Sequence, residues 1–423
     1  MKRRLFFLIY SLLAGLFFVA SAGPWLVKMW RRGGFGSGLL ERFGIYKRDA
    51  LFERGGAIYV HAVSVGEVLL ARKLIEHWRS VSDEHFVLAA TTSTGHAMAR
   101  EAESEAVRVI YAPVDLRWIT RAVLERFTPK AVVLMESEIW PNLLDLCDAR
   151  GIPVAIANAR LSARSAGRYA KLGGLVRPVL DLLGPVCVPE EEDLARWEAI
   201  GVRREKLTVT RNIKFDPGSA RKPAKRGEFS ALLAAFGEGR SIVLCASTFS
   251  GEEEALAQSI RTADGSFLPV IVPRHAERRG EVISALKKAG FTPALRSLNQ
   301  TSGDVLVVDT TGELCDLTAH ADIVVIGKSW RISAGGGQTP VEAILAGVPV
   351  IAGPDMTNFP ALTDELVRVG GITQLEAVTE LGDALRTLTD HEARKLQAAS
   401  AARVLETHRG ATAKTIEVIS ALL

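Results

Sequence analysis

Short runs of apolar and β-branched residues alternate with amphipathic segments from Ala57 onward, and this alternation limits the possible folds more than any other feature of the chain. The runs are apolar at consecutive positions, which is typical of strands buried on both faces. Strands that alternate with helices in this way form parallel sheets covered by helices on both sides. The sequence therefore predicts an α/β protein with doubly wound sheets.

The predicted strands fall into two series with a break between them. The first series is expected at 57–61, 86–90, 107–111, 131–135, 154–157, 186–188 and 207–210, with helices near 67–78 and 94–102. The second is expected at 241–246, 268–272, 305–308, 323–326 and 348–352. Between them, residues 216–228 carry Pro217, Gly218, Pro223 and Gly227 with four basic residues, which is linker composition. The chain after about Leu375 is predicted to form helices that pack back across the molecule.

A length of 423 residues is also too great for one ordinary core and favours two domains. We expect a membrane anchor and interface segment at 1–30 and an acceptor-binding Rossmann-like domain at 31–216. A linker at 217–228 and a nucleotide-sugar-binding Rossmann-like domain at 229–423 would follow. Two such domains are expected to face a cleft at the carboxyl ends of their strands, where doubly wound sheets bind ligands.

The N-terminal segment Leu5 to Gly23 is uncharged and mostly apolar, and a helix of about 20 such residues can cross a bilayer. Basic residues stand on both sides of it, so the positive-inside rule gives no orientation. The motif Ala20-Ser21-Ala22 imitates a cleavage site, which leaves a secretory leader as the alternative. Trp25 and Trp30, with Lys28 between them, suit a membrane interface and favour an uncleaved anchor.

Composition excludes several classes of protein. The formal net charge of +4 is the difference between 52 basic and 48 acidic residues, too small an excess to indicate nucleic-acid binding. The four cysteines, Cys147, Cys187, Cys245 and Cys315, lack the paired spacing of a zinc site. We expect them to be buried thiols in a reducing compartment.

Four polar residues of the first series fall at predicted strand ends or just before the linker. Glu67 follows the first strand at a strand-to-helix junction, where a carboxylate can take a proton from a substrate hydroxyl or can simply complement the helix dipole. Glu136 and Glu138 follow the fourth strand and are expected to point to the same side, which is costly unless a basic or hydroxyl group meets them. The alternative is that they are surface acids before a helix. Lys214 precedes the linker, where it could stabilise an anionic transition state or be merely solvated.

Groups suited to binding a phosphate follow the predicted strands of the second series. Pro273 and Arg274 follow one strand, and an arginine there can pair with a phosphate through two hydrogen bonds. The segment Asp309-Thr310-Thr311-Gly312-Glu313 follows another. In the glycine-rich turn at 334–342, Thr339 is predicted as the helix N-cap and Pro340 as a first-turn residue, so that free N–H groups could bind an anion.

Taken in order, these segments resemble the bacterial 3-deoxy-D-manno-octulosonic-acid (Kdo) transferases, a GT-B family that acts on lipid A. The matching stretches are HAVSVGE at 61–67, TTSTGHAMA at 91–99, MESEIWPNL at 135–143, IANARLSARS at 156–165, NIKFD at 212–216, VPRHAER at 272–278, DTTGEL at 309–314 and PVIAGP at 349–354, with Asn358 and Phe359. They span nearly the whole chain. The hydrophobic N-terminus also agrees with the family's membrane anchor.

The resemblance implies transfer of Kdo from CMP-Kdo to the lipid A precursor with inversion, without a cofactor or a protein-held metal. It implies an enzyme on the cytoplasmic side of the inner membrane, with membrane lipids as partners and no nucleic acid. Glu67 corresponds to the proton acceptor, and Glu136 and Lys214 to transition-state stabilisers. Binding of CMP is implied for Pro273, Arg274, Thr311, Gly312, Glu313, Thr339, Pro340, Val341 and Glu342.

The chain departs from the family pattern at three places. It has Gln338-Thr339 where His-Asn is usual, Thr311 where Met is usual, and Phe249 where a His follows Ser-Thr. Phe249 cannot replace a hydrogen-bonding imidazole. Three alternatives therefore stay open: an envelope GT-B enzyme that uses a UDP-sugar, a periplasmic two-domain binding protein with a cleaved leader, and an inactive family member.

Overall fold

The computed structural model describes residues 2–31, 38–46, 55–219, 221–236, 239–263, 265–330 and 336–423, with the backbone alone at 2, 24–26, 28–31 and 219. The chain divides into two compact units. The first comprises Met1–Ser219 together with Gly410–Leu423, and the second comprises Ala220–Arg409. The second unit thus begins within the segment expected as a linker, and the last residues of the expected second domain group with the first unit.

Each unit contains one seven-stranded sheet in which all paired strands are parallel. The strands of the first unit are β1 (Ile58–Ala62), β2 (Phe86–Ala90), β3 (Val107–Tyr111), β4 (Ala131–Met135), β5 (Val154–Ala157), β6 (Val186–Val188) and β7 (Leu207–Val209). Those of the second are β8 (Ser241–Thr248), β9 (Phe267–Pro273), β10 (Pro293–Leu295), β11 (Val305–Val307), β12 (Ile323–Ile326), β13 (Val350–Ala352) and β14 (Thr373–Gln374).

The helices alternate with these strands along the chain. In the described residues they are α1 (Lys2–Arg31), α2 (Gly38–Glu41), α3 (Val65–Val81), α4 (Ser93–Arg100), α5 (Arg117–Phe127), α6 (Pro141–Asp148), α7 (Ala163–Leu172), α8 (Arg177–Leu180), α9 (Glu191–Ala199), α10 (Gly227–Ala234), α11 (Glu253–Arg261), α12 (Arg279–Lys288), α13 (Leu314–Thr318), α14 (Val341–Leu345), α15 (Pro360–Arg368), α16 (Leu381–Thr387), α17 (His391–Glu406) and α18 (Ala411–Ser420).

Burial on both faces of the sheets explains why the strands are apolar at adjacent positions. The first sheet runs β3-β2-β1-β4-β5-β6-β7 and the second β10-β11-β9-β8-β12-β13-β14. In β1, Tyr59 packs into one core of the first unit while Ile58 and Val60 pack into another. Successive side chains point to opposite faces of a sheet, so a strand buried on both faces needs apolar residues at adjacent positions. The prediction of doubly wound parallel sheets is confirmed.

Two edge strands were not predicted from the sequence. The strand β10 has three residues and begins at a proline, and β14 has two residues. Both lie at the edges of the second sheet, where one neighbouring strand suffices. Pro293 is tolerated at the first position of an edge strand because no ladder hydrogen bond is lost. Runs this short carry no periodicity from which a strand could be recognised.

The last helix, α18, packs on the first unit. Ile416 and Ile419 are buried in the core on the α3 side of the first sheet. The carboxylate of Asp216 accepts hydrogen bonds from the backbone N–H groups of Gly218 (2.9 Å), Gly410 (3.1 Å) and Thr412 (2.8 Å). A single buried acid therefore links the segment at 216–218 to the start of α18 through hydrogen bonds.

The N-terminal helix α1 contains one segment, Arg3–Gly23, that is long and apolar enough to cross a membrane. One side of it packs on the first unit. Arg3 donates to Asp145 (3.1 Å), Tyr10 Oη donates to Asp115 (3.0 Å), and Phe7 is buried between them. The opposite side exposes apolar residues that include Leu8, Leu12, Leu16 and Phe17. The side chains of Trp25 and Trp30, expected at a membrane interface, lie outside the described residues.

The cysteines are free thiols, as expected, with one difference in burial. Cys147, Cys187 and Cys245 are buried among apolar side chains, whereas Cys315 is only half-buried. Cys315 lies in the short helix α13, close to the carbonyl oxygen of Arg221. The expectation of four buried thiols is therefore wrong for Cys315.

Candidate active site

The strand order of the first sheet reverses direction between β1 and β4, which are neighbours although two strands lie between them along the chain. At such a point the loops that follow the two strands leave on opposite faces and open a crevice at the carboxyl edge. Glu67 comes soon after β1, and Glu136 directly follows β4. The fold thus brings together two acids that are 69 positions apart in the sequence.

Glu67 lies in the first turn of α3 and is 6% exposed. Its carboxylate closes a capping box with Ser64: Oε1 accepts from Ser64 N–H (3.2 Å) and Ser64 Oγ (2.7 Å), and Oε2 accepts from Val63 N–H (2.8 Å). The helix-capping role considered for this residue is therefore present. Each carboxylate oxygen has two lone pairs, so Oε2 can still accept a further hydrogen bond from a substrate.

Glu136 and Glu138 form an acidic cluster with Glu67. Burial and the negative charges of Glu67 and Glu136 raise the pKa of Glu138 to about 7. Burial and Glu67 also raise the pKa of Glu136, while Lys214 and Arg160 oppose this increase. Glu136 has a φ of 54°, which is uncommon for a residue other than glycine and costs about 1–3 kcal/mol. Strain of this kind persists only where the surrounding structure fixes the residue.

Lys214 lies in a short 3-10 turn, Ile213–Phe215, that is fixed by hydrogen bonds from three directions. Asn158 Oδ1 accepts from Ile213 N–H (3.0 Å), and Asn212 Oδ1 accepts from Lys214 N–H (3.0 Å). Lys73 Nζ donates to the carbonyl oxygens of Ile213 (2.7 Å) and Asp216 (2.9 Å). The backbone that carries Lys214 is therefore held rigidly against α3 and the end of β5.

The ammonium of Lys214 belongs to the same electrostatic group as the acids. Burial lowers its pKa, the charge of Glu136 opposes this effect, and the nearby Arg160 lowers the pKa further. The side chain is nevertheless exposed at the surface of the unit, so solvent weakens these effects. The structure thus brings Glu67, Glu136 and Lys214 together, and it adds Glu138 and Arg160. Arg160 lies within the matching stretch 156–165, but sequence reasoning assigned it no role.

His61 begins the first motif of this unit but belongs to the core. It is 2% exposed, and its ring lies 5.2 Å from that of Trp140. Among the described residues neither ring nitrogen has a hydrogen-bond partner, and burial lowers the pKa to about 4. A neutral, buried imidazole beside an indole supports the loop at 138–141 from beneath.

In the second unit, Arg274 and Glu342 lie within electrostatic range of each other. Arg274 follows β9, and its N–H donates to the carbonyl oxygen of Thr248 (3.0 Å) at the end of β8. Burial raises the pKa of Glu342, and the charges of Arg221 and Arg274 oppose that increase. Arg221 was missed by sequence reasoning because it lies in the segment expected to be a linker.

The segment Thr311-Gly312-Glu313 precedes α13, and its acid already has protein partners. The carboxylate of Glu313 accepts from Arg296 Nη2 (2.9 Å) and from the hydroxyl of Thr310. Gly312 has a φ of 82°, a conformation that favours glycine. Thr311 and Gly312 are exposed, which leaves their backbone accessible to a ligand. Glu313 therefore lies at the end of this turn and also stabilises it through its hydrogen bonds.

The glycine-rich turn is explained largely by packing within the unit. Gly336 has a φ of 66°, and a Cβ there would lie 2.4 Å from Thr357 Oγ1. A Cβ on Gly337 would lie 2.1 Å from Met356 Sδ. The N–H of Gly336 donates to Asp355 Oδ2 (2.9 Å), which draws the turn onto the segment after β13. Ala334 and Gly335 lie outside the described residues.

The prediction for the start of α14 was wrong by one position. The helix begins at Val341, so Pro340 occupies the N-cap and Thr339 precedes it. The hydroxyl of Thr339 still accepts a hydrogen bond from Val341 N–H (3.3 Å), which satisfies one free donor of the helix. The side chain of Pro340 has no hydrogen-bond acceptor, so this hydrogen bond comes from the hydroxyl one residue earlier.

Glu252 is a buried acid of the second unit that sequence reasoning missed. Its Oε2 accepts from the N–H groups of Phe249 (2.9 Å) and Lys328 (2.8 Å), and its Oε1 accepts from Trp330 N–H (3.2 Å). It joins the loops after β8 and β12, the strands between which the second sheet reverses its order. Phe249 lies here between Lys328, whose Nζ is 5.2 Å from its ring centre, and His275, at 6.0 Å.

Comparison with known proteins identifies the family. Residues 37–217 match the family model described as 3-deoxy-D-manno-octulosonic-acid transferase (kdotransferase). The chain is 32% identical over 400 residues to the 3-deoxy-D-manno-octulosonic acid transferase of Haemophilus influenzae, covering 91% of each chain. It is also 32% identical over 416 residues to the enzyme of the same name from Bordetella pertussis, covering 92% of this chain and 94% of the relative. The chain belongs to the Kdo transferases.

The fold of this Kdo transferase also agrees with the expected GT-B architecture of two Rossmann-like units. The UDP-GlcNAc 2-epimerase from Neisseria meningitidis, solved with UDP-GlcNAc, is similar with a TM-score of 0.58 at 14% identity. That likeness covers 86% of this chain and 100% of the epimerase, and it concerns the fold alone. The curated relatives make the protein a glycosyltransferase and favour an enzyme over a two-domain binding protein.

Proposed function

We propose that this Kdo transferase moves Kdo from CMP-Kdo to the lipid A precursor, lipid IVA, with inversion at the anomeric carbon. The observation that carries the proposal is the charge cluster at the carboxyl edge of the first sheet, where Glu67, Glu136 and Glu138 face the cations Lys214 and Arg160. The raised pKa values of Glu136 and Glu138 beside these cations are typical of a site for acid–base chemistry.

In the proposed mechanism Glu67 is the general base. Its Oε2 accepts the proton of the acceptor hydroxyl as the hydroxyl oxygen attacks the anomeric carbon of Kdo, and CMP departs from the opposite face. The capping box fixes the position of the carboxylate, so little rotational freedom is lost when the substrate binds. The three hydrogen bonds to Glu67 hold its carboxylate in place at the carboxyl edge of the first sheet.

Glu136 and Lys214 are proposed to stabilise the transition state as a pair. Kdo carries a carboxylate, and the bond to CMP breaks with development of charge on the phosphate. Lys214 and Arg160 supply positive charge near the sugar. The negative charge of Glu136 offsets the repulsion between these two cations. The strained backbone of Glu136 is consistent with a position fixed for function.

The second unit is proposed to hold CMP. Arg274, which follows Pro273, would pair with the phosphate, and Glu342 would accept a hydrogen bond from a ribose hydroxyl. The exposed turn at Thr311 and Gly312, ordered by Glu313, and the start of α14 at Thr339, Pro340 and Val341 would supply backbone contacts. We propose no cofactor for the reaction, since these side chains supply the charges that the displacement needs.

The test is the substitution Glu67→Gln, because glutamine preserves the capping box and removes the base. Transfer from CMP-Kdo to lipid IVA, measured by mass analysis of the lipid product, should fall by about 10²–10⁴-fold. The Kd for CMP should not change. Glu76→Gln is the matched control, since Glu76 lies exposed on the same helix, and it should leave both quantities unchanged. Loss of CMP affinity with transfer preserved would contradict the assignment.

A further inference from the structure

An apolar groove of about 640 Å³ runs along the N-terminal helix within the first unit. One wall is α1, with Leu5, Ile9 and Leu13. The opposite wall is the end of α7 and the turn after it, with Leu172 and Leu175. The lining is almost wholly apolar, unlike the charged sites described above. The volume of the groove lies in the range of small-molecule sites.

The walls of the groove expose large apolar side chains. Leu13 is 60% exposed on one wall, and Leu175 is 65% exposed on the other. Contiguous exposed apolar surface on a folded protein marks a site that is covered by a partner or by lipid. Because α1 is the segment that is apolar enough to enter a bilayer, a groove walled by α1 opens toward hydrocarbon.

The groove borders the segment of chain that carries two of the clustered acids. Ile139, which directly follows Glu138 in the chain, and Pro141 line the groove. Tyr169 lines it as well, and after burial the charge of Glu138 is the next cause that raises the pKa of this tyrosine. The segment 138–141 therefore borders the acids on one side and the apolar groove on the other.

Basic side chains accompany the apolar wall. Arg164, Arg168 and Lys171 are exposed along α7, and Arg177 is exposed in α8, directly after the turn that forms the wall. Lysine and arginine beside exposed leucines are typical of a surface that meets anionic lipid headgroups. The same arrangement complements an acceptor with phosphate groups on its sugar and acyl chains below it.

We infer that this groove holds an acyl chain of the lipid acceptor, so that the sugar headgroup of the same molecule reaches Glu67, Glu136 and Glu138. This inference rests on the proposed function. It assigns α1 a second role, since the helix that attaches the protein to the membrane also forms one side of the acceptor site. The loop at 138–141 then lies between the part of the site that binds the headgroup and the part that binds the acyl chain.

Gly174 offers a direct test because it lines the groove and no heavy atom lies within 4 Å of the position of a Cβ there. Gly174→Trp should therefore fill the groove without disturbing the fold. Each methylene excluded from an apolar site weakens binding about fourfold, so the KM for lipid IVA should rise at least about tenfold. Transfer to the same glycan after complete deacylation, and the KM for CMP-Kdo, should not change.

The matched control is Gly167→Trp. Gly167 is exposed in α7, it also has open space around its Cβ position, and it does not line the groove. The control should show wild-type KM values for both acceptors. Equal effects of Gly174→Trp on the acylated and deacylated acceptors, or no effect on either, would overturn the inference while leaving the proposed function intact.

Photolabelling gives a second readout that does not depend on catalysis. Full-length protein in nanodiscs is irradiated with lipid IVA that carries a diazirine at the end of one acyl chain. Labelled peptides should contain residues 172–180 or 139–141, and Gly174→Trp should remove that label. Labelling elsewhere, or labelling by a diazirine phospholipid that lipid IVA fails to displace, would overturn the inference. Absence of Kdo transfer by the wild type would instead overturn the proposed function alone.

Discussion

In the proposed mechanism Glu67 serves both the fold and the chemistry. The hydrogen bonds that close the capping box also fix the position of its carboxylate at the edge of the first sheet. Structural and catalytic interpretations of this residue are therefore not alternatives. The substitution that separates them is glutamine, which keeps the cap and cannot accept the proton.

Glu138 is the acid whose titration should be visible in the stability of the protein. Its pKa of about 7 in the folded chain lies above the ordinary value of 4.5, because burial and the charges of Glu67 and Glu136 disfavour ionisation. Between these pH values the folded state binds a proton that the unfolded state has lost, so the stability falls as the pH rises through this window. The destabilisation from Glu138 is complete above pH 7 and absent below pH 4.5.

We therefore predict that Glu138→Gln has a higher Tm than the wild type at pH 8 and nearly the same Tm at pH 5. Thermal unfolding at the two pH values measures this directly. Glu198→Gln, at an exposed position of α9, should give no difference that depends on pH. A gain for Glu138→Gln of the same size at both pH values would show that Glu138 does not titrate in this window.

At the scale of elements, the strand predictions were accurate and the exceptions have physical reasons. The predicted bounds of strands β2 to β6 agree with the structure at both ends. The strand β1 is displaced by one residue, and the bounds of β7, β8, β9, β11 and β13 differ by one or two residues at one or both ends. The strands β10 and β14 were missed because they are short edge strands. A long apolar run indicates a buried strand from its own residues alone. A short edge strand forms because a neighbouring strand pairs with it, and its own residues do not indicate this.

The sequence predicted that the terminal helices pack back across the molecule, but it did not identify the surface on which α18 packs. Its amphipathic pattern predicts a helix but not the surface that covers it. In the structure Ile416 and Ile419 pack into the core beside α3, and the start of the helix is fixed by Asp216. The first unit thus depends on residues that are about two hundred positions further along the chain.

The double substitution Ile416→Ala/Ile419→Ala should destabilise the first unit by about 4–10 kcal/mol, since each buried isoleucine contributes about 2–5 kcal/mol. The matched variant Lys414→Ala/Glu417→Ala removes an exposed ion pair of the same helix (3.0 Å) and should cost less than about 1 kcal/mol. Urea unfolding measures both free energies. Similar losses in the two variants would mean that the packing of α18 contributes little.

At the scale of the whole molecule, the contacts of α1 bear on how the protein meets the membrane. Arg3 forms ion pairs with Asp145 and Asp148 of α6 (3.1 and 2.6 Å), and Phe18 contacts Phe43 with ring centres 6.0 Å apart. Fifteen residues of helix rise about 22 Å, so α1 contacts the first unit over much of its length. We therefore predict that the N-terminus lies on the same side of the membrane as the first unit.

We predict that a cysteine placed before Lys2 reacts with a membrane-impermeant maleimide in inside-out vesicles and not in intact spheroplasts. This expectation combines the contacts of Arg3 with our proposal that the catalytic units lie on the cytoplasmic side of the inner membrane. A cysteine on the exposed surface of the second unit, such as Glu254→Cys in α11, should react in the same preparation. Labelling of the N-terminal cysteine from the periplasmic side alone would contradict the arrangement.

The sequence alone determined the parallel α/β architecture, the two series of strands and the family, because periodicity and ordered motifs are properties of neighbouring residues. Only the tertiary structure decided that Glu138 and Arg160 join Glu67, Glu136 and Lys214, that α18 completes the first unit, and that α1 and α7 enclose an apolar groove. These features join residues that are far apart in the chain, and the ionisation of each acid depends on how much water and which charges the fold leaves beside it.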